Sequence, residues 1–154
     1  MERSLSLPRP SLRFLPVWRR NFRVWRKLMG PSIVGNFGEP LLYLLALGYG
    51  FGRMVGEVGG VPYMTFLASG IVVSSAMTAA SFEAMYSAFT RMHMQQTWSA
   101  QLHAPLEVED VVLGELLWAA TKALINSTAI LLVAAGMGLV GGWQALWVLP
   151  VTLL

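Results

Sequence analysis

Three ionisable residues stand inside long apolar runs of this chain: Glu39, Glu115 and Lys122. Such groups are costly to place among apolar neighbours, so they mark either a polar route through a helix bundle or charges that neutralise one another. Glu115 and Lys122 are seven positions apart and share one helix face, roughly 10 Å apart along its axis. Direct pairing would need both side chains to reach. The reading preferred from spacing is structural: Lys122 is neutralised by an acid such as Glu39 or Glu115, and the alternative places it on a polar substrate path. Gly70, Ser74 and Thr78 form a stripe at i, i+4 spacing. Close helix packing explains such a stripe, and a hydroxyl-lined path for a sugar is the other reading.

Other patterns carry less chemistry than their letters suggest. Gly136-Met-Gly138-Leu-Val-Gly141 matches G-x-G-x-x-G, but the dinucleotide fingerprint needs a strand before it and a helix opening at it. Here it closes an apolar run, so nucleotide binding is not expected. No G-x-x-x-x-G-K-[ST] loop occurs, so ATP hydrolysis would have to come from another polypeptide. The chain has no cysteine and two histidines, His93 and His103, which argues against thiolate or zinc chemistry. Asn126-Ser127-Thr128 fits a glycosylation sequon but lies within an apolar run, where the sequon has no meaning. No catalytic, metal or cofactor site is expected in this chain.

The elements that would position these residues follow from composition. The 154 residues are 55% hydrophobic and 12% charged, against about 25% charged in an ordinary soluble domain. Eight of the eleven Lys and Arg precede residue 28. Residues 1–15, with Pro8 and Pro10, read as a cytoplasmic tail. Residues 16–30 read as an amphipathic helix ended by Gly30-Pro31. On it Trp18, Phe22 and Trp25 share a stripe with Phe14 and Met29, while Arg19, Arg20, Arg23, Arg26 and Lys27 lie opposite. Nucleic-acid binding would want aromatics beside arginines for stacking. Segregation instead suits a helix lying on a lipid surface, with Trp18, Phe22 and Trp25 as apolar anchors and Arg19 and Arg23 toward anionic head groups. A soluble nucleic-acid binder is disfavoured on the same grounds.

Behind that helix, 31–154 reads as a transmembrane domain with spans at about 31–52, 61–82 and 111–136. A fourth run at 143–154 is shorter than the roughly 20 residues of a span, and is expected to be a truncated membrane helix. The expected class is all-α, a polytopic membrane helix bundle with an N-terminal amphipathic interfacial helix. The excess of early basic residues places the N-terminus inside. Residues 83–110 then form a cytoplasmic segment. Met94, Trp98 and Leu102 recur at i, i+4 and i+8 as on one helix face, which suits docking in a partner's groove, with Trp98 the anchor and Arg91 a rim charge. Pro105 and the acids that follow suit the first turn of the next helix.

Four stretches in order, the basic amphipathic helix, EPLLYLLALGYGFG, GVPYMTFLASGIVVSSAMTAASFEAMYSAFTRM and TWSAQLHAPLEVEDVVLGE, resemble the membrane permease of type-2 ABC exporters. The likeness covers about residues 16–137 and is greatest to the nodulation-protein-J-like branch. Thr97, Ala104, Pro105 and Leu106, followed by Gly114, carry the inner-loop pattern, and GIVVSSAMTAASFEA points to the narrower branch. The resemblance implies a six-span subunit in a bacterial cytoplasmic (inner) membrane, of which this chain carries the first half. It implies a second permease copy and a cytosolic ATPase that holds the ATP and Mg, with residues 92–104 as the coupling helix. Export of a lipo-oligosaccharide is implied. A drug or polysaccharide cargo, or a membrane subunit without autonomous transport, are the alternatives.

Overall fold

The computed structural model describes residues 12–140, 142 and 146–151. Most of the expected N-terminal tail, Gly141 of the glycine motif and the start of the fourth apolar run lie outside the described residues.

The first helix, α1, runs Phe14–Lys27. Leu28 is a one-residue turn, and α2 runs Met29–Val55. The break therefore precedes Gly30-Pro31 rather than coinciding with it. Pro31 falls in the first turn of α2, where its missing N–H would have no intrahelical partner anyway. Pro40 lies inside α2, where it removes one ladder bond and favours a bend.

Two short antiparallel strands, β1 Glu57–Val58 and β2 Val61–Pro62, form a hairpin pairing Glu57 with Pro62 and Val58 with Val61. Gly59 and Gly60 both have positive φ, 61° and 80°, the conformation a two-residue hairpin loop needs and glycine allows. Helix α3 (Tyr63–Phe82) starts at once. It continues without a break in direction through two π-helical stretches, π1 Glu83–Ser87 and π2 Thr90–Met94. Gln96 then turns the chain with φ 51°, and the six-residue α4 spans Thr97–Leu102. Helix α5 covers Val108–Gly136, and α6 covers Val148–Val151.

The start of α5 differs from the expectation at Pro105. The helix opens three residues later because Glu107 is extended and forms a capping box with Asp110, whose carboxylate accepts the Glu107 N–H at 3.1 Å. That reciprocal cap satisfies donors that Pro105 could not.

The core lies between α3 and α5, flanked by α2 on one side and α1 on the other. Its facing residues are small: Ala68, Val72, Ser75 and Ala76 of α3 meet Ala119, Ala123, Ser127 and Ala134 of α5. Small side chains let two helix backbones approach closely, which is how helices associate where no water drives them together. Large apolar residues such as Leu42, Met54, Met77 and Leu132 face outward. Among the described residues two helices are long and apolar enough to cross a membrane, Tyr63–Met94 and Val108–Gly136.

Candidate functional site

Helix α1 is seated on α5 by a close approach. Gly114 leaves no room for a side chain: a Cβ there would lie 2.6 Å from the Val17 Cβ and 3.0 Å from the Phe14 carbonyl oxygen. Val17 and Asn21 are buried in this contact. The aromatic stripe of α1 meets the protein as well. Phe22 and Trp25 both contact the Trp118 ring edge-on, at 6.3 and 6.2 Å between centroids, and the Trp18 indole donates to Thr121 Oγ1 at 2.9 Å. The three expected anchors are thus half-buried against α5, while Arg19 and Arg23 stay exposed. Arg20 departs from its basic neighbours. It is half-buried, donating to Asn21 Oδ1 at 3.1 Å and to Thr97 Oγ1 of α4 at 3.4 Å. Burial lowers its pKa most, and the charge of Arg91 lowers it further, with Glu115 opposing.

Beside this seat lies a buried charge cluster that joins α3, its π-helical extension and α5. Arg91 is not a rim charge. Its side chain, 13% exposed, lies between two carboxylates. Its Nη1 is 2.9 Å from Glu83 Oε1. Its Nε is 3.1 Å from both Glu115 oxygens, and Nη2 adds a short contact to Oε2. Trp118 Nε1 donates to the same Glu83 oxygen at 2.8 Å. Lys122 Nζ lies 3.9 Å from Glu83 Oε2 and 6.0 Å from the centroid of the Trp25 ring.

The acid facing Lys122 is therefore Glu83, rather than Glu39 or Glu115. Glu115 is committed to Arg91, and Glu39 is exposed on α2. Glu83 was hidden because it reads as the first residue of a polar connection, not as part of a span. The spacing to Arg91 also misleads. In a plain α-helix eight positions overshoot two turns by about 80°. The i→i+5 pattern of π1 and π2 holds more residues per turn. It reduces that overshoot and brings Glu83 and Arg91 onto one face.

A cleft of about 850 Å³ opens next to the cluster, between α2, α3 and α5. Four of the five polar residues singled out from sequence line it: Glu39, Ser74, Thr78 and Lys122. Glu115 does not. Glu83 and Asn126 join them. The Asn126 side chain is 5% exposed and donates to Ser75 Oγ at 2.6 Å and to its carbonyl at 3.1 Å. Its sequon was the signal available in the sequence, and its position one turn beyond Lys122 gives that residue a meaning the sequon did not.

The segment leading to α5 is also rearranged relative to expectation. Met94, Trp98 and Leu102 do not share one helix, because Met94 ends π2 and the left-handed Gln96 separates it from α4. Met94 is 78% exposed, Leu102 is 40% exposed, and Pro105 is exposed. Trp98 is half-buried, and its indole N–H is enclosed without a hydrogen-bond partner among the described residues.

The helical order α1 to α5, the small-residue packing and the polar segment between α3 and α5 can be set against known proteins. The family model described as ABC-2 type transporter matches residues 13–154. The chain belongs to the ABC-2 type transporter family. Among relatives of this ABC-2 type chain are Nodulation protein J of Rhizobium leguminosarum bv. trifolii, 51% identical over 146 residues, and that of Rhizobium meliloti (strain 1021), 49% identical over 146 residues. The same-named protein of Bradyrhizobium diazoefficiens is 44% identical over 144 residues. These matches cover 94–95% of this chain and 55–56% of the relatives, so it spans just over half the length of the curated relatives it matches. No solved structure matches it significantly. Family and apolar helices together make this ABC-2 type chain a membrane protein with an all-helical bundle.

Proposed function

We propose that the chain serves as a membrane-spanning permease component of an ABC exporter, driven by a separate cytosolic ATPase and working beside a second permease copy. Membership of the ABC-2 type transporter family supports this reading most directly. The geometry is suited to it. One continuous helical element runs from the cleft-lining residues of α3 to Met94, next to α4. A push on α4 would reach the cleft through that element, and Arg91 would carry it to α5 through Glu83 and Glu115. In this reading residues 92–104 couple to the ATPase, the N-terminus lies inside the bacterial cytoplasmic membrane, and ATP and Mg bind in the partner. The cargo is a lipo-oligosaccharide or a related amphiphile, and the relatives' nodulation name supports that direction without naming a substrate.

Co-expression with the cognate ATPase tests it. The two should co-purify in mild detergent, and deletion of 92–104 should abolish association while leaving the chain in the membrane fraction. Undiminished association after that deletion would remove α4 as the coupling element. Drug-stimulated instead of glycolipid-stimulated ATPase activity of the complex would reassign the cargo.

A further inference from the structure

The helical element Tyr63–Met94 holds one residue more than its ion pair needs. In a plain α-helix, residues seven apart lie within about 20° of one face, whereas residues eight apart lie about 80° off it. Glu83 and Arg91 are eight apart and still meet at 2.9 Å. The spare residue sits in π1. There the Ala88 N–H is shared between the Glu83 carbonyl, five residues back, and the Met85 carbonyl, three back. The two bonds straddle the four-residue spacing of an α-helix. Further on, the Gln95 N–H donates to the Thr90 carbonyl at 2.9 Å, again five residues back. Such turns are rare, occur mostly as single bulges inside α-helices, and are frequent at functional sites.

The charges beside π1 supply a second arrangement. Arg91 holds Glu83 and Glu115, but another cation, Lys122, stands 3.9 Å from the Glu83 oxygen that Arg91 leaves free. We infer that π1 is a rotary joint: tightened to α-helix, it turns Arg91 away from both carboxylates, and Glu83 passes to Lys122. Trp118, which donates to Glu83 Oε1 at 2.8 Å, holds that carboxylate in place through the exchange. Glu115 loses its partner in the tightened form. The π form is therefore the resting one, and the tightened form is a minor state reached under load. Glu83 and Ser87 of π1 line the cleft, so the same turn reshapes the cleft wall. The joint lies between that wall and α4. Its use in relaying a push on α4 rests on the export reading above, whereas the exchange of partners does not.

Hydrogen exchange read by mass spectrometry, on the chain in phosphatidylcholine nanodiscs, tests the joint directly. Amides in the stretch 84–95 open each time π1 changes its turn. Deleting exposed Ala84 removes the spare residue and leaves Glu83 and Arg91 seven apart, the α-helical spacing. Exchange over this stretch should then slow at least about tenfold relative to the unaltered chain, with thermal stability kept. Deleting exposed Leu116 from the plain helix α5, which has no residue to spare, should instead lower thermal stability. Lys122→Met decides the sign. It withdraws the second partner of Glu83, so exchange over 84–95 should slow. A Lys122 that only braced the resting structure would, on removal, speed exchange there. Faster exchange in Lys122→Met, or loss of the folded chain on deleting Ala84, overturns the inference. Slowed exchange in both variants, in a chain that does not bind the cognate ATPase, upholds the joint and sinks the export reading alone. ATPase association with exchange indifferent to both changes sinks the joint alone.

Discussion

At the residue scale the decisive group is Arg91. It holds two carboxylates, Glu83 and Glu115, whose side chains are 10% and 5% exposed. A buried charge is tolerable only when paired and hydrogen-bonded, and removing one partner strands the rest. Arg91→Ala should therefore destabilise the fold by about 3–5 kcal/mol. The loss should be read as reduced thermal stability in detergent by fluorescence-detected gel filtration, with exposed Arg19→Ala as reference. Adding Glu115→Gln should recover part of the loss, since it removes one of the stranded charges. Equal behaviour of Arg91→Ala and Arg19→Ala would mean the cluster contributes nothing to the fold. Spacing alone could not find this arrangement. Glu83 and Arg91 are eight apart, Arg91 and Glu115 are twenty-four apart, and the first pair meets only because the helix between them is widened.

At the scale of elements, α1 and α5 show how a pattern legible in sequence acquires its meaning from its neighbour. The segregated faces of α1 were plain from residue order, and they suit a lipid surface and a protein surface equally well. Packing sets one side of Trp18, Phe22 and Trp25 against protein, because Gly114 lets the α1 backbone come close enough for these rings to reach Trp118 and Thr121. The close backbone approach makes Gly114 the sensitive point. Gly114→Ala should cost about 1–3 kcal/mol, because Val17 can shift but the Phe14 carbonyl is backbone. Gly114→Leu should unseat α1. The measurement is the tryptophan emission of a chain keeping Trp18, Trp25 and Trp118, which should shift to longer wavelength as the α1 rings leave α5. An unchanged spectrum in Gly114→Leu would show that α1 is held elsewhere. The coupling segment carries a similar lesson. Its helical tendency was legible, but a left-handed residue at Gln96 breaks the face that Met94, Trp98 and Leu102 would have shared, and left-handed backbone at a non-glycine residue leaves little local signature.

At the scale of the whole molecule, the element Tyr63–Met94 has 32 residues. At about 1.5 Å per residue it outreaches the ~30 Å hydrocarbon core of a bilayer. As a membrane span it should emerge with its two ends on opposite sides. Because the chain has no cysteine, single replacements at exposed Glu57 and Met94 can be labelled cleanly with a membrane-impermeant maleimide. Position 94 should react only from the cytoplasmic side and position 57 only from the other, given the basic excess of the N-terminal segment. Labelling of both from one side would disprove the orientation and the continuous span together.

The amino-acid sequence determined on its own what depends on composition and local period. It specified long apolar helices, an amphipathic leading helix with segregated faces, and motifs sufficient to suggest the family, whereas the hairpin at Gly59 and Gly60 appeared only in the structure. It also singled out most of the polar residues that line the cleft, because an ionisable or hydroxyl group is conspicuous in an apolar run. Only the tertiary structure decided who meets whom: Glu83 rather than Glu39 facing Lys122, Arg91 drawn inward, Asn126 left with an unmet acceptor. Those are contacts between residues far apart in the chain, set by helix approach and by π-helical rotation over a few residues. Periodicity reports how a segment presents its own faces, and it carries no information about which distant face will be brought against them.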